Sequence, residues 1–92
     1  MPLTEELKSL AARVVWFKTP EEALSDPVYF LCYLMRYGVP EDVSVARRYF
    51  TDSDFKQALN NAYPGIFDRP SWAYWNLMLF DTPDRPMPVR NL

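Results

Sequence analysis

The chain has 92 residues, 49% hydrophobic and 16% aromatic, with ten basic against twelve acidic side chains and a net charge of −2. That length makes one domain with a modest core, and the charge balance provides no polycationic footprint for a nucleic-acid backbone. There is no histidine and one cysteine, Cys32, which excludes a Cys/His zinc site, a histidine triad and an internal disulfide.

The first helix is predicted from about Thr4 to Phe17. Leu3, Leu7, Leu10, Val14 and Phe17 recur at gaps of four and three, the stripe of an amphipathic helix, with Lys8, Ser9 and Arg13 off it. Thr19-Pro20-Glu21-Glu22 is a helix start: Thr19 caps, Pro20 suits the first turn and Glu22 completes a capping box. That turn is short, because Asp26-Pro27 starts again with the same chemistry. From Val28 to Tyr37 the chain is apolar nearly all round, as in a central buried helix, and Gly38 is expected to end it in the C′ role.

Pro40-Glu41-Asp42 opens the next helix, with acidic groups at the positive end of its dipole. Val43, Ala46, Tyr49 and Phe50 are its expected apolar face. Thr51 caps a further helix carrying Phe55, Ala58, Leu59 and Ala62, and Tyr63-Pro64-Gly65 stops it. Residues 66–70 read as a loop with buried anchors. Asp68 or Ser71 caps a last helix, from Trp72 to about Phe80. Residues 81–92 carry Pro83, Pro86 and Pro88 without periodicity and are expected to be extended, with polyproline II character. The expected fold is all-α: a compact bundle of four or five short helices over residues 1–80, with Phe30, Leu31, Leu34 and Leu59 in the core, and an extended proline-rich tail over 81–92.

No apolar run reaches the roughly 20 residues of a membrane span. Glu5 and Glu6 stand where a signal peptide carries basic residues, so a cytoplasmic location is expected. The carboxylate pairs Glu21/Glu22 and Asp52/Asp54 sit at helix starts, where capping explains them better than acid–base or metal chemistry. Cys32 lies among apolar neighbours and reads as a small buried hydrophobe. No cofactor or metal is expected, and no enzymatic activity. Residues 38–62 have the spacing of a helix-turn-helix, but the first turn of its second helix holds Asp52 and Asp54, which oppose DNA docking.

Trp72, Tyr74 and Trp75 crowd the last helix, and three rings this close cannot all point inward. Tyr74, and Trp72 after it, are expected at the surface, where Trp, Tyr and Arg make binding hot spots. With Arg69 beside them and Arg85, Met87 and Arg90 along the tail, the expected partner-binding set is Arg69, Trp72, Tyr74, Trp75, Arg85, Met87 and Arg90. The tail has two readings at this stage: an arm that docks on a partner, or a cover for its own domain.

Met35-Arg36-Tyr37-Gly38, Glu41-Asp42-Val43, Pro64-Gly65-Ile66-Phe67-Asp68 and Ser71-Trp72-Ala73-Tyr74-Trp75 together resemble a group of short, largely uncharacterised bacterial proteins. These combine a YG-x-x-x-D turn with a PGIFD-x-x-SWAYW block before a proline-rich end. The likeness runs from about Asp26 to the C-terminus, and Arg69-Pro70 departs from the order of those two residue types in the group. Its members occur as companions of AbiEii-like nucleotidyltransferase toxins. The resemblance therefore implies an antitoxin-like role, with a nucleotidyltransferase-type toxin as partner and no catalytic residues. The expected function is a non-enzymatic protein-binding module. Its rivals are a helix-turn-helix regulator and a homo-oligomeric structural module, which would be a homodimer in its simplest form.

Overall fold

A computed structural model describes residues 3–89. Those residues form six helices and no strand: α1 (Glu5–Val14), α2 (Pro20–Leu24), α3 (Pro27–Tyr37), α4 (Pro40–Ala46), α5 (Asp52–Asn60) and α6 (Arg69–Phe80). The all-α class is as expected. The count exceeds four or five because the short turn after Thr19 is a helix in its own right, held by a complete capping box.

Each start has a local chemical cause. Side-chain oxygens of Thr4, Thr19, Asp26, Thr51 and Asp68 accept from backbone N–H groups in the first turn of their helices. These donors have no partner within the helix. Before α4 stands Val39, which has no side-chain oxygen, and only half a box forms: the Val39 N–H donates to Asp42 Oδ2 at 3.2 Å. The choice between Asp68 and Ser71 resolves to Asp68, whose carboxylate accepts from the Ser71 N–H at 2.9 Å. Accordingly α6 begins at Arg69 rather than Trp72.

The central element is α3, which touches every other helix. Its Phe30, Leu31, Cys32, Leu34 and Met35 are buried. They meet Leu7, Leu10 and Ala11 of α1, Phe55, Ala58 and Leu59 of α5, and the α6 tryptophans in one hydrophobic core. Each large side chain removed from water there contributes about 1.5–3 kcal/mol. The first helix is shorter than its stripe. It stops at Val14, and Val15 turns away at φ −118°, ψ 66°. Leaving the helix there lets both valines face the core, while Trp16 and Phe17 remain in solvent. Tyr49 and Phe50 likewise lie beyond the end of α4. The Tyr49 hydroxyl donates to Glu6 at 2.8 Å and accepts from Thr4 at 2.9 Å, pinning this turn to the start of α1.

Gly38 corrects an expectation. It is not left-handed but extended, at φ −71°, ψ 147°. Its requirement is space: a Cβ there would stand 2.6 Å from the Leu34 carbonyl oxygen. The left-handed positions are Gly65, at φ 90°, and Asp81, at φ 55°. Asp81 turns the chain at the end of α6, and the residues that follow run back without helix against α6 and α5.

Candidate protein-binding surface

Between Pro70 and Phe80, α6 carries no charged residue. Its inner face is Trp72, Trp75 and Asn76, all buried. Trp75 stacks on Phe55, with ring centroids 5.8 Å apart, and its indole N–H donates to the Met35 carbonyl at 2.9 Å. Trp72 meets the Phe67 ring edge-on at 5.2 Å, and its indole N–H donates to the Arg85 carbonyl at 2.7 Å. The expectation that Trp72 reaches the surface is therefore corrected. Phe67 and the returning tail enclose it. Asn76, the buried polar residue of the core, donates to the Trp72 carbonyl at 2.8 Å and accepts from the Arg85 guanidinium at 3.0 Å.

Arg85 does more. Its second terminal nitrogen donates to Asn60 Oδ1 at 2.6 Å, and the guanidinium lies over the Phe80 ring at 4.2 Å. Met87 packs against the core. Of the two readings of the tail, these contacts match the second: residues 82–89 cover their own domain. Among the expected partner-binding residues, Trp72, Trp75, Arg85 and Met87 are engaged within the fold. Arg69 and Tyr74 are open to solvent. Arg90 lies outside the described residues.

The outer face of α6 is where Tyr74 sits. Tyr74, Leu77 and Met78 are 55%, 47% and 60% exposed. Pro70 continues their line one turn toward the N-terminus. The spacing i, i+4, i+7, i+8 is that of an apolar stripe facing a neighbour, yet here it faces solvent. Sequence reasoning singled out the rings and missed Leu77 and Met78. The available signal was a second stripe on a helix whose first stripe was already committed to the core.

Tyr74 also borders a cleft of about 340 Å³ between α6 and the α3–α4 junction, lined by Met35, Gly38, Pro40, Val43, Ser71 and Trp75. One wall of the cleft is Trp75, anchored by its stack on Phe55 and its hydrogen bond to the Met35 carbonyl, and the opposite wall is the α3–α4 turn with Gly38, Pro40 and Val43. Arg36 bridges Asp68 at 3.2 Å near its α6 end. That ion pair, with the Ser71 hydrogen bonds, holds the Asp68 carboxyl below the usual aspartate range, with the Ser71 bonds the larger cause.

Among the described residues, no three His, Cys, Asp or Glu side chains converge as metal ligands. Burial pushes the Cys32 thiol up to about 12. In α5, the candidate recognition helix, Phe55, Ala58 and Leu59 are in the core, Asp52 pairs with Arg47, and Asn60 is held by Arg85. No helix among the described residues is long and apolar enough to cross a membrane. No family model, curated protein or solved structure matches the chain.

Proposed function

We propose that this protein is a non-enzymatic binding module that docks a partner protein on the outer face of α6 and the adjoining cleft. The observation that carries this reading is the uncharged stripe of Tyr74, Leu77 and Met78, left in solvent on a helix already anchored by its other face. Exposed apolar side chains grouped at one place mark interaction sites. The cleft beside them is of the size that accepts a large apolar side chain, and Tyr74 at its rim offers a ring and a hydroxyl. Arg69, exposed at the start of the same helix, suits a carboxylate on the partner through paired hydrogen bonds.

The partner class comes from the resemblance of the SWAYW block and its flanks. On that basis the partner is a nucleotidyltransferase-type toxin, bound and neutralised in the cytoplasm. An arginine-bearing arm reaching into such an enzyme does not fit the contacts, because Arg85 is occupied within its own domain. Neutralisation by this module then proceeds through a helix face that covers or deforms the toxin. The test is co-expression with a nucleotidyltransferase-type toxin that arrests growth. The wild-type chain is expected to restore growth, and Met78→Asp to fail at equal abundance and melting temperature. Rescue by Met78→Asp equal to wild type would refute the role of this face.

A further inference from the structure

A second cleft lies between the end of α1 and α3. Trp16 and Phe17 leave the end of α1, and Tyr33 and Tyr37 stand one turn apart on α3. Their rings form a continuous corrugated wall. Trp16 meets Phe17 at 5.5 Å and 85°, Phe17 meets Tyr33 at 5.5 Å and 66°, and Tyr33 stacks on Tyr37 at 5.7 Å and 20°. With Arg13 and Val14 they line a cavity of about 340 Å³. Trp16 is 78% exposed, so the fold gains little from its ring. Among the described residues, neither the Trp16 indole N–H nor the Tyr37 hydroxyl makes a hydrogen bond within the protein.

We propose that this cleft binds an extended, proline-rich segment of a partner protein that carries an acidic residue beside its prolines. This surface is separate from α6, and the inference does not rest on that reading.

Three properties select this occupant. The first is shape. Rings set edge to face leave slots between them, and polyproline II segments dock their prolines in aromatic-lined grooves of this kind at small entropic cost. The second is hydrogen bonding. A polyproline backbone has free carbonyls and few N–H groups. The cleft offers the matching donors: the Trp16 indole, the Tyr37 hydroxyl and the Arg13 guanidinium, of which the indole and the guanidinium can only donate. A sugar would need side-chain amide or carboxylate acceptors as well, and none lines the cleft. The third is charge. Arg13, Lys18 and Arg36 surround the aromatic wall. Arg36 lies over Tyr37 at 4.5 Å and Lys18 over Tyr29 at 5.5 Å. Arg13 and Arg36 already bridge Asp42 and Asp68. Lys18 makes no ion pair among the described residues and is left to receive an acidic side chain. Single-stranded nucleic acid could stack on the same rings, but the chain's net charge of −2 opposes it.

The experiment titrates the full chain, labelled with nitrogen-15, with a synthetic Pro-Pro-Leu-Pro-Pro-Glu-Glu peptide and follows the three indole N–H resonances. The expected result is a saturable shift of the Trp16 indole, with the Trp72 and Trp75 indoles unmoved. Trp16→Ala and Tyr37→Ala, both at exposed positions, are expected to weaken binding about tenfold or more with the melting temperature unchanged. A peptide with lysines in place of the glutamates is expected to bind more weakly. The proposal is overturned by the absence of a saturable shift. It is equally overturned by a Gly-Ser control peptide binding as well, by oligothymidylate shifting Trp16 when the peptide does not, or by the peptide displacing the tail and moving Trp72 instead.

Discussion

The indole N–H of Trp72 donates to the backbone carbonyl of Arg85 at 2.7 Å, joining the inner face of α6 to a residue that belongs to no helix. A chain ending at Asp81 would lose that acceptor and the Arg85 bonds to Asn76 and Asn60. Each such hydrogen bond contributes roughly 0.5–1.5 kcal/mol net, and the Trp72 and Met87 packing under the tail is lost with them. In a domain of this size each kcal/mol lowers the melting temperature by about 4–8 °C. Truncation after Asp81 is therefore expected to give a clear drop in a thermal melt followed by circular dichroism. Arg85→Ala keeps the carbonyl and should fall less. An unchanged melting temperature in the truncated chain would return the tail to the status of a free arm.

Gly38→Ala tests the tight α3–α4 junction. Alanine adopts φ −71°, ψ 147° without strain, so backbone conformation is not the obstacle. The obstacle is the Leu34 carbonyl oxygen 2.6 Å from the new methyl group, with Leu34 Cδ1 at 3.0 Å. A helix carbonyl cannot rotate aside, so the backbone at Gly38 must shift away from the last turn of α3 and loosen its N–H bond to the Leu34 carbonyl. A loss of about 1–3 kcal/mol in denaturant unfolding is expected. A variant as stable as wild type would show that the junction is looser than described.

Acid should destabilise the fold through carboxylates that are held ionised. Glu6 is lowered chiefly by its hydrogen bond from Tyr49 and then by Arg48, Glu22 by Thr19, and Asp68 by Ser71. A carboxyl whose folded value is depressed contributes stability above its unfolded value. That contribution disappears as pH falls through the folded value. The reference values are 4.5 for Glu6 and Glu22 and 3.8 for Asp68. Melting temperatures should therefore hold steady near neutral pH and decline from the region of those values downward. Glu6→Gln is expected to flatten the decline, and a slope identical to wild type would remove the Tyr49–Glu6 contact from the account.

Cys32 should behave as a reporter of unfolding. Its thiol is buried, pushed up to about 12, and donates to the Ala58 carbonyl at 3.6 Å. A disulfide reagent near pH 8 is expected to react slowly with the native chain and fast in denaturant, because the thiolate is the nucleophile. Rapid modification of the native chain would place this helix nearer the surface.

Helix positions were legible in the sequence because their signals are local. Thr19-Pro20 and Asp26-Pro27 announce a start through caps and a fixed φ, whatever the rest of the chain does. The apolar run after Pro27 likewise marked α3 as the center of the core. Two features were hidden because they depend on long-range geometry. Trp72 looked like a surface ring since three aromatics crowd one short stretch. Its burial depends on Phe67 and on the Arg85 carbonyl of the tail, which accepts from its indole N–H, and spacing along the chain reveals neither. Gly38 marked the end of α3 correctly, but its cause is the approach of Leu34 and not a left-handed turn. In the candidate surface, Tyr74 was legible as the ring left over. Leu77 and Met78 were not, because their exposure follows only once Trp72, Trp75 and Asn76 are known to face inward.

The central claim is that the outer face of α6 binds a protein, and calorimetry against a purified nucleotidyltransferase-type toxin tests it most directly. Tyr74→Ala should cost about 2 kcal/mol, a roughly thirtyfold weaker dissociation constant. Leu77→Asp should weaken binding further, with melting temperatures close to wild type in both variants. Equal affinity of wild type, Tyr74→Ala and Leu77→Asp would contradict the account and move the binding site elsewhere.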